Sequence, residues 1–589
     1  MLKRLLKEVK EFKKDSILTP LFMVLEVIFE VLIPRYMGKI IDLSETDKVD
    51  MGRVLLYGGI MLLLAAGALW AGIMGGKYGA RASTGFARNL RRSMYRRIQT
   101  YSFSNIDKFS TSSLVTRMTT DVSNVQNSYQ MVLRMLTRAP SSLIICMVVA
   151  FTISAQVSMV YLGAVIVLAI VAFLLIRRVT KIFSEAFPKY DKMNESVQEN
   201  VTAIRVVKGF VREEHEKEKF NHASRMIYKI FCKAESLMAF IAPIMQTTIY
   251  FCILMVSWVG AKIIVNTGQA SLTTGNLTQL LNYCMQILMS LMMLSMVAVM
   301  ITISIPSAKR IVEVLDEESA LTNPENPDHD IPDGSISFDH VVFRYNDTSE
   351  APVLQDINLS IRSGETIGII GGTGSSKSSL VSLVSRLYDV ESGSVSVGGK
   401  DVRSYDMDTL RSQVAVVLQK NVLFSGTILE NLRWGNPNAT PEDCREACRL
   451  ACADEFIDKM PDGYDSVLEQ GASNLSGGQR QRLCIARALL RKPKVLILDD
   501  STSAVDTTTD AKIRAGFREY IPDTTKLIIA QRISSVMDAD RIIVMDQGRV
   551  CGFGSHEELL QTNEIYREVY ESQQGGSRDF DEVMQGGEG

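Results

Sequence analysis

The sequence predicts two folds in series: a membrane domain of six α-helices, then a water-soluble α/β domain. Three observations predict this. Charged residues are absent between Arg53 and Lys77, Arg138 and Arg177, Glu235 and Lys262, and Lys262 and Lys309, and about 20 apolar residues suffice to cross a bilayer. From about Ile331 onward, short apolar segments alternate with helical patterns, Gly-rich turns and charges, the rhythm of an α/β fold. Over 589 residues, 64 Lys and Arg face 66 Asp and Glu for a net charge of −2, a balance with no polybasic tail, so nucleic acid is not an expected partner.

Taken in order, the basic start from Lys3 to Lys14 reads as an amphipathic helix on the cytoplasmic membrane face, with no small-residue cleavage site after it. Spans are expected at about Ser16–Ile41, at Val54–Gly76, as a hairpin within Ala139–Ile176 broken near Ser154–Ser158, at Ser236–Val265 and at Leu277–Ser304. Lys and Arg crowd the chain before the first span, after the second (Lys77, Arg81, Arg88), after the fourth (Arg177, Arg178, Lys181) and after the sixth (Lys309, Arg310). Positive charge stays inside, which predicts a multi-pass protein of the cytoplasmic (inner) membrane, in contact with membrane lipids and with both termini in the cytosol. The domains are then 1–322 for the membrane part, a Pro-rich acidic linker at 323–334, the α/β domain at 335–574, and a Gly-rich, disordered tail at 575–589. Nine Cys are scattered without CxxC spacing. Cys444, Cys448 and Cys452 share one helical face and, with no His beside them, read as small core residues rather than metal ligands.

Chemistry concentrates in the second domain. The apolar strand Glu365–Ile370 runs into Gly371, Gly372, Thr373, Gly374, Ser375, Ser376, Lys377, Ser378 and Ser379, followed by a helical pattern. This is a phosphate-binding loop: small residues let backbone N–H groups converge on phosphate oxygens, Lys377 supplies charge, and the Ser378 hydroxyl ligates Mg²⁺. Ser376 departs from the strict pattern, which has Gly before the Lys. Downstream, the strand Val495–Leu498 ends in Asp499 and Asp500, where a nucleotide enzyme places its Mg²⁺-organising carboxylate and, next to it, a water-activating base. Just before that strand stand Leu475, Ser476, Gly477, Gly478 and Gln479.

LSGGQ between a phosphate loop and a DD-terminated strand, behind six spans, resembles the ATP-binding cassette (ABC) exporter half-transporters over nearly the whole chain. The resemblance implies ATP and Mg²⁺ as cofactors and an ABC-type translocase ATPase. It places Tyr345 against adenine, unless it is an ordinary strand aromatic, and Gln419 with Ser378 and Asp499 at Mg²⁺. It also places Glu469–Gly471 against the membrane helices, and Ser503, Ala504, Val505 and Asp506 across a dimer interface. Ser104–Lys108 and Val207–Glu214 resemble the coupling helices that dock on the cassettes, with a solvated charged helix as the alternative for the second.

Two departures fall on residues that do chemistry. The family has Glu where this chain has Asp500, whose carboxylate is retracted by roughly 1.5 Å, beyond the reach a general base needs. It has His where this chain has Gln531, which carries neither proton nor charge. In the family, each ATP lies between one chain's phosphate loop and the other chain's LSGGQ. The resemblance therefore implies a heterodimer. This chain holds ATP in a degenerate site, and its Ser476–Gln479 completes a competent site on a second half-transporter that has Glu and His.

Cargo is read from the spans. Glu26 and Glu30 lie four apart in the first span, where a charge costs about 2.5–3.5 kcal/mol; they attract a cationic substrate or pair with Arg35 or another chain's basic residue. Met289, Met293 and Met296, within a longer Met series in the sixth span, form a cavity wall for varied apolar shapes or pack as core. The expected cargo is a small amphipathic or hydrophobic compound, cationic where Glu26 and Glu30 attract it. Lipid or peptide export with the same engine, and an ATP-gated channel or regulatory subunit, remain alternatives. No peptidase-like domain precedes the first span and no regulatory insert separates the halves, which disfavours peptide processing and the channel.

Overall fold

A computed structural model describes residues 1–45, 49–267, 270–345, 351–500 and 505–574. The expected tail at 575–589, and Ser503 and Ala504, lie outside the described residues. Two units form: 1–100 with 110–317, and 101–109 with the chain from 318 onward. The division falls at Glu317/Glu318, a few residues before the Pro-rich linker.

The first unit is all helix. After α1 (Leu2–Leu6) come α2 (Lys13–Ser44) and α3 (Met51–Gln99), then α4 (Phe103–Phe109), which groups with the second unit, and α5 (Thr111–Thr116). The long helices α6 (Val122–Ile153) and α7 (Ala155–Thr202) meet at Ser154, and α8 (Ile204–Gly209) links α7 to α9 (Glu213–Ala239), with α10 (Ile241–Thr267) and α11 (Thr274–Asp316) behind. Among the described residues, six helical segments are long and apolar enough to cross a bilayer. The hairpin break expected near Ser154–Ser158 is a single extended residue, Ser154, at φ −153° and ψ 111°. Side chains start the helices: Asp50 accepts from the Arg53 amide and Thr273 from the Asn276 amide.

The basic start is more than a helix lying on a surface. Leu5, Glu8 and Val9 are buried, Asn89 donates to the Glu8 carbonyl at 3.1 Å, and Ser93 donates to the Glu8 carboxylate at 2.7 Å. The segment packs on α3. Spans one and six meet where Gly38 faces Gly275; a Cβ on Gly275 would strike the Gly38 carbonyl. The Gly275 amide also donates to Asp42 at 2.8 Å, so the small residues allow a polar clasp between α2 and α11. Tyr283 donates to the Val31 carbonyl at 2.8 Å and Tyr161 to the Leu280 carbonyl at 3.0 Å, stitching the buried core of Val27, Cys146 and Ile287. Arg310 grips the fully buried Asp121 through two bonds of 2.7 and 2.5 Å.

The second unit has two main sheets. β1 (Ile336–Phe343), β2 (Leu354–Ile361), β4 (Ser392–Val397) and β5 (Lys400–Asp401) form an antiparallel sheet in the order β2-β1-β4-β5. The other contains β3 (Thr366–Gly371), β6 (Val414–Val417), β9 (Val495–Asp499), β10 (Thr525–Ile529), β11 (Arg541–Asp546) and β12 (Arg549–Gly554), ordered β12-β11-β3-β10-β9-β6. The short strands β7 (Gly426–Thr427) and β8 (Val467–Leu468) pair separately. Only β12 runs antiparallel in the larger sheet. Every residue of β9 and β10 is buried, as expected of parallel strands covered on both faces. Cys444, Cys448 and Cys452 all lie in this unit's core, and burial pushes the Cys448 thiol up to about 12.

Candidate functional site

Ligands of open parallel sheets bind beyond the carboxyl ends of the strands, and four strand ends converge there. β3 delivers the phosphate loop, β9 delivers Asp499 and Asp500, the turn after β10 delivers Gln531, and the turn after β6 delivers Gln419. The loop is tightly built. A Cβ on Gly371 would strike the Met545 carbonyl, and Gly374 sits at φ +86°. Lys377 opens α12 (Lys377–Val384) and curls back, donating to the Gly371 and Gly372 carbonyls at 2.7 Å each and to Ser375 at 3.3 Å. Ser375 is buried, whereas Thr373 and Gly374 are exposed at the mouth.

The departure at Ser376 lands where it costs most. Ser376 sits at φ +74° and ψ 23°, left-handed backbone that disfavours any residue with a Cβ by about 1–2 kcal/mol. Ser376→Gly is therefore expected to stabilise the domain by about 0.5–1 kcal/mol, part of the relief being offset by the entropy of an unfolded Gly. Thermal unfolding of the two forms without nucleotide measures it.

Beyond the loop, Ser378 donates to Asp499 at 2.9 Å. A hydroxyl and a carboxylate side by side are the hard oxygen donors that Mg²⁺ takes beside its retained waters, and Gln419 reaches Asp500, the residue after Asp499, at 3.3 Å; the hydroxyl and carboxylate fit the ion. Burial raises the carboxyl groups of both Asp499 and Asp500 above the ordinary range, against the opposing pull of the nearby Lys377. Asp500 is itself in left-handed backbone at φ +46°. Its Oδ2 accepts from the Gln419 amide at 3.3 Å and from the Gln531 amide at 3.0 Å. The position expected of a base is thus held by two neutral amides.

Tyr345 is 41% exposed, donates to or accepts from Ser379 at 2.8 Å, and meets Phe343 and Tyr388 edge to face at 4.8 and 5.0 Å. The ring is propped from behind. Ser476 and Gln479 form a reciprocal capping box at the start of the helix Gly477–Leu489: the Gln479 amide donates to the Ser476 hydroxyl, and Gln479 Oε1 accepts from the Ser476 amide at 2.9 Å. The turn is therefore rigid and offers the amides of Gly477 and Gly478 at a helix N-terminus, where anions are favoured. It makes no hydrogen bond to the phosphate loop, Asp499, Asp500 or Gln531 among the described residues. Asp506 caps the helix Thr507–Tyr520 by accepting from the Thr509 amide at 2.9 Å, a bond that lowers its carboxyl below the usual range. Glu469 accepts from Ser473 at 2.7 Å and closes the turn before the signature.

Several contacts around these residues were not visible in the sequence. Asn105 on α4 donates to the Glu318 carbonyl at 2.9 Å, and Tyr388 donates to Asp107 at 2.8 Å, so the Ser104–Lys108 segment packs on the nucleotide-type domain just behind Tyr345. Phe424 and Trp434 stack at 4.3 Å, 45% and 62% exposed, beside a cavity of about 350 Å³ that Arg487 and Arg491 also line. In the membrane unit, Glu30 and Glu26 have the same partner: Arg138 lies 2.7 Å from Glu30 and 3.6 Å from Glu26. The spacing of Arg134 and Arg138, four apart like the two acids, was the available signal. Met289 and Met296 are exposed and Met293 is half-buried.

Residues 16–304 match the family model described as ABC transporter transmembrane region, and residues 354–503 match ABC transporter. The chain is 36% identical over 555 residues to an uncharacterized ABC transporter ATP-binding protein, YfiB, of Bacillus subtilis (strain 168), covering 94% of this chain and 96% of that one. It is 34% identical over 549 residues to the multidrug efflux ATP-binding/permease protein Rv0194 of Mycobacterium tuberculosis (strain ATCC 25618 / H37Rv), covering 92% of this chain and 45% of that one. A structure of a bacterial Atm1-family ABC exporter with ATP bound shares its fold at a TM-score of 0.82 and 23% identity, over 96% of this chain and all of that one.

Proposed function

The chain belongs to the ABC transporters and carries an exporter-type membrane domain and an ATP-binding domain on one polypeptide, and from that premise we propose that it is one subunit of a heterodimeric, ATP-driven exporter. It would move amphipathic or hydrophobic compounds out across the cytoplasmic membrane, with both termini in the cytosol. Its own ATP site is degenerate at Asp500 and Gln531, and its Ser476–Gln479 turn completes the hydrolytic site of a second ABC half-transporter bearing Glu and His.

The observation that carries this reading is the state of Asp500, a shortened carboxylate engaged by two glutamine amides. Around it, the chain's residues suit retention more than cleavage. Tyr345 would stack on adenine, the loop amides and Lys377 would hold the phosphates, and Ser378, Gln419 and Asp499 would hold Mg²⁺, which would supply positive charge to the phosphate oxygens. No group in this pocket removes a proton from the attacking water efficiently. The intact capping box keeps the Gly477 and Gly478 amides aimed outward, available to another chain's γ-phosphate. Support for a second chain also comes from two exposed surfaces. Val206, Phe210 and Val211 stand out at and beyond α8, with Phe210 76% exposed, and the Phe424–Trp434 groove offers an aromatic seat. We assign these to docking of coupling helices between subunits.

The similarity to a multidrug efflux protein favours drug-like amphiphiles as cargo. The ion pair with Arg138 offsets one of the two negative charges of Glu26 and Glu30 and so weakens the attraction for cations. Lipid or peptide export by the same engine differs only in cargo.

The test is ATP hydrolysis by the full chain purified alone. It is expected at about 1% or less of the rate of the two-subunit complex, the loss typical of a missing general base. Brisk turnover by the chain alone would remove the proposal.

A further inference from the structure

A cavity of about 400 Å³ opens between α6 and α11, lined by Asn127, Gln130, Met131 and Arg134 of α6 and by Met300 and Ile303 of α11. Its polar groups divide sharply. Asn124 donates to Ser307 at 3.3 Å and Ser128 to the Met300 carbonyl at 3.5 Å, so these tie the helices together. Arg134 Nε is buried with no hydrogen-bond partner among the described residues, and Asn127 and Gln130 form no side-chain hydrogen bonds among those residues. A buried donor left unpaired is costly, and a guanidinium presents a planar fork that matches carboxylate, sulfate or phosphate oxygens in pairs.

The neighbouring charges do not close this fork. Arg138, one turn further on, takes both Glu26 and Glu30, and Arg134 feels Glu26 only through space. The apolar wall is flexible thioether, which adapts to varied chains. Arg134 lies five residues before Ala139, where the charge-free run begins, about 7–8 Å along the helix. Ser128 donates to the Met300 carbonyl and Ser304 to the Asn124 carbonyl, so the apolar wall stands beside the head-binding residues, on the side of Arg134 away from Ala139.

We propose that this cavity binds the anionic head group of an amphiphile, with Arg134, Asn127 and Gln130 on the head and Met131, Met300 and Ile303 on the chain. The proposal rests on the reading of the protein as an exporter of amphipathic compounds and gives that cargo a charge. The head group could belong to a free amphiphile or to an anionic membrane lipid.

Binding of 11-(dansylamino)undecanoate to the full chain in phosphatidylcholine nanodiscs, followed by dansyl fluorescence, tests it against the methyl ester of the same compound. The acid is expected to bind about tenfold more tightly than the ester. Arg134→Gln should abolish that preference while Arg134→Lys retains part of it. Asn127→Asp, an exposed and nearly isosteric change, should weaken the acid and leave the ester unaffected, which guards against a folding defect in the Arg134 variants. Replacing part of the phosphatidylcholine by phosphatidylglycerol distinguishes the sources: displacement of the acid assigns the site to lipid, and undiminished binding assigns it to a free amphiphile. Equal affinity for acid and ester, or a preference that survives Arg134→Gln and Asn127→Asp, overturns the anionic site alone. Failure of both compounds to bind overturns it together with the amphipathic cargo.

Discussion

The pair Asp500→Glu and Gln531→His is expected to raise ATP hydrolysis by the purified chain about 100-fold. Two such chains facing one another would each offer an intact LSGGQ turn, so the deficit in hydrolytic chemistry argued for either site lies at these two positions. The added methylene advances the carboxylate by roughly 1.5 Å. The His supplies a polar group able to carry charge where Gln531 now spends its amide on Asp500 Oδ2. The two changes should be strongly non-additive, because Glu alone remains engaged by Gln531 and His alone leaves the carboxylate short. Phosphate release by the two single variants and the double variant checks this, and an unchanged double variant contradicts it.

The second large effect concerns a residue that touches no group of its own pocket. Gly478→Asp in this chain is expected to lower hydrolysis by the two-subunit complex about 100–1000-fold, the loss seen when a preorganised donor to a developing anion is removed. A carboxylate at the start of the helix Gly477–Leu489 would face the partner's γ-phosphate with like charge. Lys377→Ala, which disables this chain's own phosphate loop, is expected to leave most of that hydrolysis in place while reducing the ATP retained by the complex. A complex in which Lys377→Ala is the more damaging change would reverse the assignment of the two sites.

How much of this was legible in the sequence depended on the range of the interaction. The spans were readable because their signal is local and repeated; the phosphate loop and Asp499 stood out because each directly follows an apolar strand, and Ser476–Gln479 through the resemblance of LSGGQ, whereas the capping box it forms was not foreseen. The strand order that brings the turns after β3, β6, β9 and β10 to one edge is not local, so the bond from Gln531 to Asp500 could not be seen, although both residues had been singled out. Glu26 and Glu30 were visible as anomalies, but their partner stands more than a hundred residues away on α6 and only the fold selects Arg138 over Arg35. The same holds for Tyr388 and Asp107. The left-handed backbone at Ser376 explains in torsional terms why a Gly is expected there, which the motif alone states without a reason.

The asymmetry of the two ATP sites is tested most directly by counting cleaved γ-phosphates. The complex of this chain with its partner is loaded with γ-labelled ATP, released into a single turnover, and the labelled phosphate and intact ATP are quantified per complex. The account predicts that one ATP of the two is cleaved and the other is recovered whole, bound to this chain. Cleavage of both ATPs in that complex, or in an active transporter made of two identical copies of this chain, would contradict it.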